Sequence, residues 1–149
     1  MTIRDVNLKR QAIIEKAKAI GIDDAYISVL VDTFYGHIRQ DKTLGSIFNR
    51  AMGDDWDHHL ARMKDFWASV AMNAGRYSGK PVPAHRKHSD VIEAAHFEHW
   101  LALFRKTLEE TAPTPQAVEY FMQRAERIAE SLKLAIFGMP GLGVPRYER

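Results

Sequence analysis

Apolar residues recur with a helical period along most of the chain, and no stretch alternates as a half-buried strand does. Residues 8–20 form a modest amphipathic pattern among lysines, which predicts a helix that Gly21 ends. Asp23 or Asp24 can cap a second helix. The apolar face of that helix follows the i, i+3, i+4, i+7 pattern and comprises Ile27, Leu30, Val31, Phe34 and Ile38.

The middle of the chain contains one short and one long helical stretch. Residues 41–52 are interrupted by Gly45, so we expect only one or two brief turns there. A longer helix is predicted to start at an N-cap, Asp54 or Asp55, and to end near Asn73. Its stripe is Trp56, Leu60, Met63, Trp67 and Val70.

A break and two further helices complete the pattern. Glycines and prolines within residues 74–90 exclude a long helix, and loops of this length in a compact domain are often functional. Helical period resumes at Phe97 and stops before Pro113. The last helix is predicted from Thr114 as its cap to Gly138. Its stripe is Val118, Phe121, Met122, Ala125, Ile128, Leu132 and Ala135.

These elements predict one all-α domain, and composition limits its chemistry. With 149 residues the chain is long enough for one domain that encloses a ligand cavity. It contains no cysteine, which excludes disulfides, thiolate nucleophiles, cysteine zinc sites and thiolate-ligated haem. Any metal chemistry must therefore use histidine, carboxylate or tyrosine ligands, and seven histidines are present.

Charge and targeting signals are weak. The net charge of +2 argues against dedicated nucleic-acid binding. Residues 1–14 have no apolar signal-peptide core, and no run approaches 18 apolar residues, so no membrane span is predicted. A cytoplasmic location is the default expectation.

The histidines differ in their sequence surroundings. His59 borders the stripe of the long helix, where a half-buried, hydrogen-bonded histidine is the commoner interpretation, as a core tyrosine is for Tyr35. His85 differs because it lies in the broken segment, where a structural need for imidazole is hard to name. His37 and His58 have polar neighbours, which favours solvent exposure.

Two histidine pairs at i, i+3 spacing leave a zinc site open as an alternative. The pairs are His85 with His88 and His96 with His99. The signal is weak, because seven histidines produce such pairs easily and no HExxH motif is present.

Several short motifs together resemble one family. They are Phe34-Tyr35, the run from Asp41 to Phe48 (DKTLGSIF), Trp56-Asp57-His58-His59-Leu60, Phe66-Trp67, Tyr77-Ser78-Gly79-Lys80-Pro81, His85 and the run from His96 to Leu101 (HFEHWL). The combination resembles the group III truncated haemoglobins, small bacterial globins with a two-over-two helical sandwich around haem. The resemblance implies a globin domain over residues 23–138, an N-terminal extension of residues 1–22 with an extra helix, and a tail of residues 139–149.

The resemblance also implies the parts of a haem site. His85 would be the proximal ligand of the haem iron. Tyr35, His59 and Trp100 would line the distal face, with His59 either gating the pocket or binding iron. Walls of the haem pocket would comprise Phe48, Leu60, Met63 and Trp67, with Arg62 pairing with a propionate. Because the chain has no cysteine, the cofactor would be non-covalent haem b.

The function implied is a haem globin that binds O₂, NO, CO or peroxide. Tyr35 and Trp100 as two donors would slow O₂ release, which suits NO dioxygenase or peroxidase-like chemistry with a reductase partner better than transport. A cofactor-free helical module that binds a protein partner is the alternative, with the aromatic stripes as plain core.

Overall fold

Six helices and no strand make up the described part of the chain. The computed structural model describes residues 3–72 and 92–137, with side chains from residue 8 onward. The helices are α1 (Ile3–Ala19), α2 (Asp24–Gln40), α3 (Leu44–Met52), α4 (Trp56–Met72), α5 (Ala94–Thr111) and α6 (Pro115–Phe137). The all-α prediction is confirmed, including the extra N-terminal helix.

Two helix starts follow the predicted capping residues. The carboxylate Oδ1 of Asp23 accepts the N–H of Tyr26 at 2.8 Å, so Asp23 caps α2. The hydroxyl Oγ1 of Thr114 accepts the N–H of Ala117 at 3.2 Å at the start of α6. Both caps are local hydrogen bonds, so the sequence around each residue is enough to predict these two boundaries.

The prediction of brief turns over residues 41–52 is wrong. The chain forms the nine-residue helix α3 there, and Gly45 lies inside it. A Cβ atom at this position would lie 2.9 Å from the carbonyl oxygen of Arg39, nearer than such contacts normally are. Gly45 therefore permits α3 to pack closely against the end of α2 and does not interrupt the helix.

The helices are arranged as two layers of two. Helix α2 packs against α4 and α5. Helix α5 packs against α6, to which it is joined by the short connection of residues 112–114. Helices α4 and α6 also touch, α3 lies on α2, and α1 lies on α4. The α2/α4 pair therefore covers the α5/α6 pair, with α3 at one end.

One aromatic ring from each of the four central helices meets in the core. Phe34, Trp67, Phe104 and Phe121 are at most 2% exposed. Phe104 stacks on Trp67 with centroids 5.0 Å apart and meets Phe34 edge-on at 4.9 Å, and Trp67 meets Phe121 at 5.9 Å. Offset-stacked and edge-to-face rings each contribute about 0.5–1.5 kcal/mol beyond burial of their area. This cluster joins the two layers.

A second junction ties the α1–α2 corner to the α5–α6 corner. The Thr114 hydroxyl donates to the carbonyl of Ile20 at 2.7 Å. Gly21, at φ +92°, lies against Pro113, and a Cβ there would clash with the proline Cγ. Glycine is required because both the positive φ and the lack of space exclude a side chain. The helix end predicted at Gly21 thus has a tertiary cause as well.

Candidate functional site

A cavity of about 560 Å³ lies beneath α3, bounded by α4, α5 and α6. Its walls are mainly aliphatic and aromatic, and Tyr35 of α2 also reaches it. Cofactor pockets are typically about 300–1,000 Å³, apolar, and supplied with a few placed polar groups. The cavity therefore has the size and character of a site for one large, mostly apolar ligand.

Tyr35, His59 and Trp100, predicted as distal residues, all line this cavity. Tyr35 is 4% exposed, and its ring meets the His59 ring edge-on at 5.2 Å and 89°. The Nε2 atom of His59 is buried. Trp100 stacks on Phe104 at 5.3 Å and 7°. Phenol, imidazole and indole groups, all able to donate hydrogen bonds, are thus brought to one otherwise apolar space.

Four of the five predicted wall residues also lie on the cavity, namely Phe48, Arg62, Met63 and Trp67. Leu60 does not line it and packs among the hydrophobic core residues. Of the four, Trp67 is buried and Arg62 is exposed, so the apolar surface lies inside and the guanidinium lies at the rim.

Several lining residues were not among the predicted site residues. From α5 and its approach come Ile92, His96 and Phe97, and from α6 come Ile128 and Leu132. Both α6 residues belong to the stripe interpreted as core. A stripe that faces a core and one that faces an internal cavity have the same spacing, so sequence periodicity cannot separate them.

Helix α3 is anchored above the cavity by one carboxylate. Asp41 Oδ1 accepts the N–H groups of Thr43 and Leu44 at 2.9 Å each, and its Oδ2 pairs with His99 Nε2 at 2.7 Å. Burial raises the pKa of Asp41, but the hydrogen bonds from Leu44, His99 and Thr43 outweigh it and leave the pKa below its ordinary value. This contact links α3, which bears Phe48, to the turn of α5 that bears Trp100.

The histidines of the zinc alternative have other partners where the structure describes them. His96 Nδ1 accepts the backbone N–H of Glu93 at 2.9 Å, while His99 binds Asp41. Within residues 3–72 and 92–137 no group of three or more metal-ligating side chains occurs. His85 and His88 lie outside the described residues, and so does the predicted proximal ligation.

The exposure predicted for two other histidines is only partly met. His58 is exposed but also lines the cavity rim. His37 has a side chain 35% exposed and lies 3.1 Å from Glu110 Oε2 on α5. His37 therefore connects α2 to α5 at the surface.

The cavity fits a flat apolar macrocycle with acidic edge groups. Aromatic and aliphatic walls match the face of such a group, and the exposed guanidinium of Arg62 at the rim matches carboxylates. Tyr35, His59 and Trp100 bring hydrogen-bond donors to the same cavity. The donor set, the size and the apolar lining are those expected of a haem pocket.

Comparison with known proteins agrees with this interpretation. The chain matches the family described as "Bacterial-like globin" over residues 17–133. It is 33% identical over 125 residues to the group 3 truncated hemoglobin ctb of Campylobacter jejuni, covering 80% of this chain and 95% of that protein. The crystal structure of a group III truncated hemoglobin from Campylobacter jejuni superposes with a TM-score of 0.68 and 34% identity, over 75% of this chain and 89% of that one.

The chain is a haem-binding globin of the bacterial-like class, and within that class it belongs to the group III truncated haemoglobins. The predicted two-over-two fold is thereby confirmed. Membership favours the haem globin over both the cofactor-free module and the zinc site. No helix in residues 3–72 or 92–137 is long and apolar enough to cross a membrane.

Proposed function

We propose that the protein binds haem b non-covalently and uses it to bind O₂ and related diatomic ligands, with chemistry directed at NO or peroxide. The observation that carries the proposal is the convergence of Tyr35, His59 and Trp100 on one apolar cavity. Haem supplies an iron centre that binds such gases and changes oxidation state. We assign His85 as its proximal ligand, by resemblance to the family.

The chain's own residues have two tasks in this proposal. Phe48, Met63 and Trp67 exclude water from the pocket, which protects the cofactor from side reactions. Arg62, which lines the cavity and is exposed, would pair with a propionate of the bound haem. Both tasks require apolar side chains inside the pocket and a cation at its opening. The structure has this arrangement, with Trp67 buried and Arg62 exposed.

Tyr35 and Trp100 stabilise the small ligand by donating hydrogen bonds to it. A charge-assisted bond to a ligand carrying partial negative charge contributes about 1.5–3 kcal/mol, or about 10- to 150-fold in affinity. Two such donors slow release of O₂, which favours redox chemistry over transport. That chemistry needs electrons, so we also propose a reductase partner. His59, which lines the same cavity, controls access of ligand to it.

The first test is the absorption spectrum of the purified, reduced protein with and without CO. We expect an intense Soret band that shifts on CO binding, as a haem with an accessible sixth position requires. His85→Ala should abolish stable haem retention. A colourless protein that takes up no added haemin would contradict the proposal.

The second test concerns the distal donor. Tyr35→Phe removes one hydroxyl from a ring that is 4% exposed and leaves the ring in place. We expect O₂ dissociation to accelerate by about 10- to 150-fold, measured by stopped-flow displacement with CO. Tyr26→Phe is the matched control. The Tyr26 hydroxyl forms a 2.9 Å hydrogen bond with Thr111, and Tyr26 does not line the cavity. An unchanged rate in Tyr35→Phe would exclude the phenol from the ligand network.

A further inference from the structure

Trp56 forms a triangle of rings with two residues of the cavity without lining the cavity itself. Its ring meets the Tyr35 ring at 6.2 Å and 60°, and the His59 ring at 5.9 Å and 80°. Tyr35 and His59 close the triangle at 5.2 Å. Tyr35 and His59 line the cavity, and Trp56 contacts both rings without lining it, so Trp56 packs behind them.

Trp56 is itself held by two neighbouring elements. Its indole Nε1–H donates to Asn49 Oδ1 of α3 at 3.2 Å. The guanidinium of Arg39, in the last turn of α2, lies 4.7 Å from the centre of the indole ring. An N–H donor bond and a cation over the ring face fix two different degrees of freedom, the in-plane direction and the tilt.

We propose that Trp56 is a positioning residue that fixes the orientation of Tyr35 and His59 toward the cavity. The inference rests on the proposed function, since that orientation matters only if the two side chains meet a ligand. An edge-to-face contact favours a narrow range of ring angles. Losing the indole therefore widens the range of Tyr35 and His59 orientations and weakens the hydrogen bond that Tyr35 donates.

The two anchors separate this role from ordinary core packing. Trp56 is 6% exposed, so a large truncation also creates a cavity, whereas Asn49 and Arg39 are exposed residues. Asn49→Ala and Arg39→Gln thus loosen the indole and remove little buried surface. A packing role predicts no effect of these surface changes on the bound ligand, while a positioning role predicts a measurable one.

The experiment uses the haem-loaded protein and the infrared C–O stretching band of its CO complex, which reports the polarity around the ligand. We expect one dominant band in the unmodified protein. Trp56→Leu should split or broaden it, Trp56→Phe should restore it in part, and Asn49→Ala and Arg39→Gln should shift it less than Trp56→Leu does. Tyr120→Phe, which removes a bond of 2.6 Å to the Ala71 carbonyl elsewhere, is the control and should leave it unchanged.

The O₂ dissociation rate completes the test. We expect Trp56→Leu to accelerate release by about 2- to 10-fold, the equivalent of one aromatic pair. In a Tyr35→Phe background the same substitution should have a smaller effect, because residues acting through one another are not additive. Unchanged bands and rates in the Trp56 and Asn49 variants, with Tyr35→Phe still accelerating release, would overturn the positioning role alone. No effect of Tyr35→Phe would overturn the proposed donor and this inference with it.

Discussion

Phe104→Leu tests whether the central aromatic cluster also holds the cavity wall. Phe104 is fully buried and contacts Phe34 at 4.9 Å, Trp67 at 5.0 Å and Trp100 at 5.3 Å. Trp67 and Trp100 both line the cavity, and both stack on Phe104. Removing this ring should lower stability and loosen two wall residues at once.

The magnitude follows from the three ring pairs. Each contributes about 0.5–1.5 kcal/mol beyond area burial, and leucine refills part of the space. Since contributions from touching residues are not additive, we expect a loss of about 2–3 kcal/mol in the free energy of unfolding. In a chain of this length that lowers Tm by about 4–12 °C.

The assay has two parts. Guanidinium denaturation followed by far-ultraviolet circular dichroism, at a fixed haem concentration, gives the change in midpoint with the slope as a check on two-state behaviour. Haem transfer to excess acceptor apoglobin gives the rate of haem loss, which should rise in Phe104→Leu.

Phe121→Leu is the matched control. Phe121 is equally buried and has three edge contacts, with Tyr26, Trp67 and Tyr120, of which only Trp67 lines the cavity. It should lose similar stability and retain haem better. Equal rates of haem loss in the two variants, or a loss below about 0.5 kcal/mol in Phe104→Leu, would refute the reasoning, since surface substitutions alone cause changes of that size.

Three further predictions concern the anchors of the helices. Asp41→Ala should destabilise the protein by about 0.5–2 kcal/mol in chemical denaturation, as loss of a helix cap does, and Asp65→Ala, at a half-buried position within α4, should cost less. The folded-state pKa of Asp41 lies below its unfolded value, so its contribution to the free energy of unfolding is present above about pH 4 and is lost as pH falls through the folded pKa. If the stability of Asp41→Ala fell as steeply below about pH 4 as that of the unmodified protein, this assignment would be contradicted. Gly21→Ala should lower the free energy of unfolding by about 1–3 kcal/mol, because of φ +92° and the contact with Pro113. Gly36→Ala in α2, with open space around it, should not destabilise the protein. Equal melting temperatures of the two variants would refute the strain at Gly21.

Sequence patterns predicted the parts of the fold that local chemistry determines. The caps at Asp23 and Thr114 bond the first turns of their own helices, so these boundaries can be predicted from nearby residues. Helix α3 was missed because glycine within a short apolar stretch usually indicates a turn. Here the reason for Gly45 is the nearby carbonyl of Arg39, which belongs to the preceding helix in the folded protein.

The site was predictable only through the family resemblance. Periodicity placed Tyr35 and His59 next to the apolar stripes of their helices but could not distinguish a cavity from core. Trp56 and Ile128 illustrate why periodicity cannot distinguish the two. Each lies in a predicted stripe, yet Ile128 reaches the cavity and Trp56 stands behind it. The difference depends on how the helices are rotated against one another, which no single helix encodes.

The junction between the two corners has a consequence for the order of folding. Its hydrogen bonds join residues 94 and 85 positions apart, Thr114 with Ile20 and Tyr26 with Thr111. The α5–α6 pair needs only a three-residue connection, so it can form early, whereas closing the long loop carries a large entropic cost. Helix α1 packs on α4 and lies outside the two central layers, so we expect it to join a nearly complete protein last and to open first. Among the six described helices, hydrogen exchange should find the amides of α1 the least protected, leaving the four central helices as the unit that remains folded when the N-terminus detaches.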